Sequence, residues 1–266
     1  MTRRILTAIV LIPAVVCLVL YGPFYLVVAT AALVAELAMW EFFRLAKSGQ
    51  VRAVHLPGYV FAAAIVLLSV ANAPAVWLIA AAVLCILMVL SLAMLSSGKL
   101  MGYLASVSST IFGVLYIALP LSLLVWVCGT PGGRWLALYG MVLVWTGDTM
   151  AFFIGRAWGR HKFSPHVSPK KTWEGAGASL LSAVGMGWVF VRLVWQQTSF
   201  LEAAVLAVVV NAAAQIGDLA ESALKRSAGV KDSSNLVPGH GGVLDRIDAL
   251  LFAAPVLWYY WLWKSL

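Results

Sequence analysis

The sequence predicts an all-α fold: a polytopic transmembrane helix bundle of about nine spans with its N-terminus in the cytoplasm. Three observations carry this. Of 266 residues, 63% are hydrophobic and 11% charged, against roughly 45–50% and about 25% in an ordinary soluble domain. The apolar runs are long and continuous, without the period-2 alternation of a membrane barrel strand. Lys and Arg divide unevenly between alternate connecting segments, fifteen against three. No soluble fold of this size hides so much apolar surface, so disorder, a secreted disulfide scaffold and a nucleic-acid-binding domain are excluded. At about 20 residues per span, nine helices absorb about 180 residues and leave no room for a large soluble domain.

The spans begin near Ile5, Phe24, Leu56, Ala75, Gly102, Trp135, Gly175, Ser199 and Ile247. Gly22-Pro23, Pro57-Gly58, Asn72-Ala73-Pro74, Ser96-Ser97-Gly98 and the stretch from Gly129 to Gly133 interrupt the first six. Pro13 and Pro120 fall inside spans, where neighbouring helices re-satisfy the freed carbonyls. Met1-Thr2-Arg3-Arg4 before an apolar run resembles a signal peptide, but without a convincing small-residue cleavage site it reads as the first span. Cys17, Cys85 and Cys128 stand singly in apolar runs and read as buried packing residues rather than zinc ligands or a disulfide. Trp135, Tyr139, Trp195, Trp258 and Tyr259 lie near span ends, where interfacial aromatics anchor.

With the N-terminus inside, the outer segments hold only Arg134, Arg192 and Lys264, a strong positive-inside bias. Nine spans then place the C-terminus outside. The chain divides into N-terminal transmembrane helices, residues 1–130, and a C-terminal catalytic region, 131–266, with two cytoplasmic polar segments. These run from Arg156 to Glu174 and from Lys225 to Arg246.

Asp148, in Gly147-Asp148-Thr149, sits within an apolar span, where an ionised carboxylate is costly and needs a partner. That partner is either a nearby Arg or a metal or phosphate-linked group, and the adjacent cations favour the second. Lys170-Lys171 reads equally well as a topology signal near anionic lipid and as a phosphate contact. On a continuing helix Asp218, Glu221, Ser222 and Lys225 form one polar stripe, either paired at a helix end or suited to a metal holding polyphosphate. Gly239, Gly241 and Gly242 around His240 permit positive φ and close approach to a ligand. Free N–H groups there, followed by a helix N-terminus, form an anion-binding concavity. Asp245 and Asp248 share one helix face, and capping is their plainer reading. Topology places Asp148, Asp218, Asp245 and Asp248 near one cytoplasmic level, an oxygen-rich arrangement suited to Mg²⁺ with substrate phosphates. The reaction class is phosphoryl or nucleotidyl transfer involving a lipid.

Ser222-Ala223-Leu224-Lys225-Arg226, Lys231-Asp232-Ser233 and Pro238-Gly239-His240-Gly241-Gly242-Val243-Leu244-Asp245-Arg246-Ile247-Asp248 together resemble the signature of the phosphatidate cytidylyltransferase (CDP-diacylglycerol synthase) family. Gly147-Asp148-Thr149 and Ser168-Pro169-Lys170-Lys171-Thr172-Trp173-Glu174-Gly175 are similar to its upstream segments. The likeness is dense from about Gly147 to Asp248. It implies a multi-pass enzyme of a bacterial-type inner membrane, its active site facing the cytoplasm, that makes CDP-diacylglycerol and pyrophosphate from CTP and phosphatidate with Mg²⁺. Membrane lipid surrounds such a chain, its composition excludes a nucleic-acid partner, and apolar faces are open to a homodimer.

On that reading Asp218 and Asp245 bind metal first, with Asp148 and Asp248 after them. Lys170, Lys171, Lys225 and Arg226 hold phosphates, joined by Lys231 and Arg246. The His240-Gly241-Gly242 turn cradles the triphosphate or the leaving pyrophosphate. Lys225, Arg226, His240 and Asp245 form the catalytic group. A CTP-dependent polyprenol kinase is the nearer alternative. A cation-coupled transporter is the remoter one, since the acids sit towards one face and no repeat is found.

Overall fold

The computed structural model describes residues 2–69, 75–96, 102–196, 198–236 and 241–266. Among these, nine helices form in the order α1 (Thr2–Tyr21), α2 (Phe24–Ser48), α3 (His55–Leu68), α4 (Ala75–Ser96), α5 (Tyr103–Cys128), α6 (Gly133–Trp158), α7 (Trp173–Leu193), α8 (Phe200–Ser227) and α9 (Leu244–Ser265). Each starts within three residues of a span start read from the sequence. Five of them, α2, α5, α6, α7 and α8, are long and apolar enough to cross a membrane. Shorter apolar stretches lie at Ile9–Tyr21, His55–Leu68 and Ile79–Leu95. Large apolar side chains stand on the surface, Leu104, Leu181 and Leu201 each more than 70% exposed. Hydrocarbon tolerates such a surface and water does not. The expectation of buried cysteines is met at Cys85 and Cys128 and not at Cys17, which is exposed.

One departure from a purely helical chain is a small antiparallel hairpin between α6 and α7, with β1 (Lys162–Ser164) paired to β2 (Ser168–Thr172). Its strands are too short and too polar to show alternation in the sequence.

The chain divides into two compact units, Met1–Gly129 with Leu224–Ile247, and Thr130–Ala223 with Asp248–Leu266. In the first, α2 buries Ala35, Ala38, Met39, Phe42 and Leu45, the i, i+3, i+4 spacing of one helix face. That face packs on α3 and α5 at glycines. A Cβ on Gly113 would stand 2.7 Å from the Phe42 ring, and one on Gly58 would collide with Phe43. Absence of a side chain is what brings these helices close.

In the second unit α6 is central. Tyr139, fully buried, donates its hydroxyl to the Ala203 carbonyl of α8 at 2.7 Å. Gly140, beside it, receives Leu257 of α9. Between α7 and α8, buried Asn211 donates to Ser179 Oγ at 2.9 Å, and Gln215 donates to Asn211 Oδ1 at 2.7 Å. Gly147 of α6 lies against this pair, and a Cβ there would stand 2.6 Å from Ser179 Oγ. Apolar packing alone does not distinguish one helix register from another in lipid, whereas a buried amide ladder does.

Candidate active site

Within the first unit the polar segment after α8 folds around two carboxylates. Lys225 Nζ pairs with Asp245 Oδ1 at 2.5 Å, the two side chains being 11% and 7% exposed. The other oxygen, Asp245 Oδ2, accepts from the Ser233 amide at 3.1 Å, lies 2.9 Å from the Ser233 hydroxyl and accepts from the Gly242 amide at 2.8 Å. Asp245 thus ties the end of α8, the Lys231-Asp232-Ser233 stretch and the turn before α9 into one knot. Gly241 has φ +83°, the left-handed conformation that a glycine permits.

The second carboxylate, Glu41 of α2, was not singled out by sequence reading. Its Oε1 accepts from the Ser234 hydroxyl and from the Val243 amide at 2.9 Å. Its Oε2 accepts from the Leu244 amide at 2.7 Å, with the Ser233 hydroxyl at 3.0 Å. A Cβ on Gly242 would collide with Ser233 Oγ and the Glu41 carboxylate, which explains the second glycine of the pair. The amides of Gly242, Val243 and Leu244, expected to face an anionic ligand, donate instead to Asp245 and Glu41.

Arg226 is exposed, and its Nη1 donates to the Val230 carbonyl at 3.0 Å. Lys231 is exposed and lines a polar cleft of about 330 Å³ with Arg44, Ser48, Asp232 and Asn235. Arg246 is exposed as well. His240, together with Val237, Pro238 and Gly239, lies outside the described residues.

The second unit holds the remaining carboxylates. Asp218 on α8 pairs with Lys171 of β2 at 2.7 Å, with the side chains 34% and 27% exposed respectively. Lys170, the preceding strand residue, is exposed, on the other face of β2 by strand alternation. The hairpin carrying both lysines is fixed at its base. Thr172 caps α7 by accepting from the Gly175 amide at 3.2 Å. It also packs where a Cβ on Gly155 or Gly159 would stand. His161 meets Glu174 twice, its ring Nδ1 2.7 Å from Oε1 and its amide donating at 3.2 Å. Asp148 on α6 is exposed. Asp248 is 9% exposed, and its Oδ1 accepts from the Ala249 amide at 2.7 Å. Gly217, the residue before Asp218, lies against the Asp248 carbonyl and Phe252 of α9.

Among the described residues no group of three or more His, Cys, Asp or Glu is close enough to hold a metal ion. Mg²⁺ keeps several waters and needs only one or two carboxylates alongside substrate phosphates. Asp218 offers a hard oxygen donor that is one-third exposed; its Oδ2 pairs with Lys171 and its Oδ1 accepts from the Ser222 hydroxyl at 3.4 Å, so a metal there would join an existing pair at its more open oxygen. At Asp245 a metal would compete with the Lys225 ammonium for Oδ1, while Oδ2 is already occupied.

Each unit thus sets a carboxylate against a lysine, Asp245 with Lys225 in the first and Asp218 with Lys171 in the second, in a chain with five helices long and apolar enough to cross a membrane. A family model described as the cytidylyltransferase family matches residues 2–263. The chain belongs to this family. It is 37% identical to a phosphatidate cytidylyltransferase of Haemophilus influenzae over 97% of this chain and 98% of the relative. It is 36% identical to one of Pseudomonas aeruginosa over 96% and 94%, and 38% identical to one of Bacillus subtilis over 46% and 45%.

The two ion pairs differ in burial, and this sets the response to neutralising each acid. Asp245→Asn removes the carboxylate charge from a nearly buried ion pair and should cost about 3–5 kcal/mol of stability. Asp218→Asn, in the more exposed pair, should cost under about 1 kcal/mol. Unfolding of the detergent-solubilised variants checks this; equal losses would contradict the difference in burial.

Proposed function

We propose that this chain transfers a cytidylyl group from CTP to phosphatidate, giving CDP-diacylglycerol and pyrophosphate for phospholipid synthesis. The observation that carries the proposal is the likeness to phosphatidate cytidylyltransferases along nearly the whole chain. Phosphatidate is a phosphate monoester with a second pKa of about 6 and is largely dianionic at neutral pH. It is nucleophilic without a strong general base. A lipid phosphate oxygen attacks the α-phosphorus, the bond to the β-phosphate breaks, and pyrophosphate leaves with the electron pair. The obstacle is the approach of two polyanions, and positioned cations lower it.

Lys170 and Lys171 on the hairpin, Lys225 and Arg226 at the end of α8, and Lys231 and Arg246 bind the phosphates. The turn through His240, Gly241 and Gly242 lies beside the triphosphate or the leaving pyrophosphate, with the Gly242 amide kept by Asp245. Asp245 holds Lys225 and the turn in place, which keeps the ammonium oriented for phosphate. When bound, Mg²⁺ supplies charge neutralisation at the phosphates. Asp218 would hold it, with Asp148 and Asp248 after it; Asp245, expected from the sequence to be a ligand as well, has both oxygens engaged by Lys225, Ser233 and Gly242.

All nine helices are placed in a bacterial inner membrane with the N-terminus and both polar segments in the cytoplasm, where CTP is available. The excess of Lys and Arg in the corresponding segments supports this orientation. A cysteine introduced beside Ser168 should resist labelling from outside intact cells, and one beside Gly132 should react. The reverse pattern would overturn the placement.

The activity is tested by supplying the purified protein with phosphatidate, Mg²⁺ and CTP labelled at the α-phosphate. Label should enter the lipid as pyrophosphate is released, and Asp218→Asn should lower the rate on the order of a thousandfold. Release of CDP with an unlabelled lipid product would identify a lipid kinase instead. Equal turnover with ATP would remove cytidine from the reading.

A further inference from the structure

Glu41 lies some 200 positions before the segment it touches, in an otherwise apolar helix. It has 0% exposure. A buried carboxylate costs several kcal/mol of desolvation unless donors surround it. Four donors do so here: the hydroxyls of Ser233 and Ser234 and the amides of Val243 and Leu244. Two of those donors are at the N-terminal end of α9, where helix amides lack internal partners and the macrodipole favours negative charge. Asp245 stands one residue further on, and Ser233 Oγ lies between the two carboxylates, 3.0 Å from Glu41 and 2.9 Å from Asp245. Its single hydroxyl proton serves one of them at a time. The Ser233 amide donates to Asp245 as well, so the position of Ser233 sets the direction of Asp245 and, through it, that of the Lys225 ammonium.

We infer that Glu41 is a positioning residue for nucleotide turnover: its buried carboxylate holds the 233–234 stretch and the first turn of α9 so that Asp245 and Lys225 keep their productive orientation. Glu41 acts through Asp245 and touches no substrate itself. The kinetic part of this inference rests on the cytidylyl-transfer reading, whereas its structural part does not. Gln at this position has the same shape, but half of its end group is a donor. That amide would face either the Val243 or the Leu244 N–H, donor against donor, so Glu41→Gln should release one side of the clamp. Glu41→Asp keeps an acceptor-only group but withdraws it by about 1.5 Å, and should recover part of what Gln loses.

The test uses the full chain in detergent or lipid nanodiscs and combines hydrogen exchange with steady-state kinetics. In Glu41→Gln, peptides covering 241–247 should exchange on the order of tenfold faster, with α6 and α7 peptides unchanged. The kcat should fall by about a hundredfold, as for a reacting group displaced by about an ångström, with KM for phosphatidate within about twofold of the parent on the same grounds. Glu41→Asp should lie between Gln and the parent in both readouts. Unchanged exchange at 241–247, or faster exchange throughout the chain, would overturn the inference; so would a loosened segment with parental kcat. If the parent itself incorporated no label, the reading of the reaction would fail, and the exchange result alone would decide whether Glu41 clamps the segment.

Discussion

A carboxylate withdrawn from solvent must be surrounded by donors, and Glu41 meets that requirement with four of them from one distant segment. Much of the first unit's polar chemistry depends on this. The amides of Gly242, Val243 and Leu244 at the start of α9 lie outside the helix's own ladder and need partners. Glu41 and Asp245 provide them. Gly242 is required because Ser233 and the Glu41 carboxylate occupy the space of a Cβ there, and Gly241 because the chain turns with positive φ. The loop that resembles a ligand cradle in sequence is therefore also an internally bonded turn, and what it presents outward are the exposed side chains of Lys231, Arg226 and Arg246.

The second unit solves a related problem with different groups. Its helices pack through Tyr139, the Ser179–Asn211–Gln215 ladder and closely approached glycines. The polar ladder continues along α8 towards Asp218, and Lys171 reaches Asp218 from a hairpin whose base is held by Thr172 and the His161–Glu174 contact. The apolar fold fixes the helices, while a few buried polar contacts fix their register and the position of the lysine-bearing strand. The Asp218–Lys171 pair is partly exposed, whereas the Asp245–Lys225 pair is nearly buried and held in one orientation by its neighbours.

Helix existence and helix starts were legible because composition and breakers dominate them. Phe24 follows Gly22-Pro23 directly, and Ala75 follows Asn72-Ala73-Pro74; both coincide with helix starts in the structure. The hairpin was not legible: Lys162–Ser164 and Ser168–Thr172 are short, and their pairing depends on Glu174, Thr172 and the glycines of α6. The polar stripe marked Asp218, and the family signature marked Lys225, Asp245 and the glycine pair, but residue type alone does not tell a metal ligand from a hub of hydrogen bonds, and Asp245 has the second role in this structure. Glu41 was overlooked because it lies between Trp40 and Phe42 in an apolar span, while its partners are about 200 residues away in sequence. An acid in such a span is costly, and that cost was the one signal available for it.

A double-mutant cycle between Glu41→Gln and Ser234→Ala, read by unfolding of the solubilised protein, tests the buried clamp most directly. The Ser234 hydroxyl has Glu41 Oε1 as its acceptor, so the two substitutions should be non-additive, with a coupling energy of about 0.5–3 kcal/mol. Additive losses, with no coupling between the two positions, would contradict the clamp and with it the account of how the turn before α9 is held.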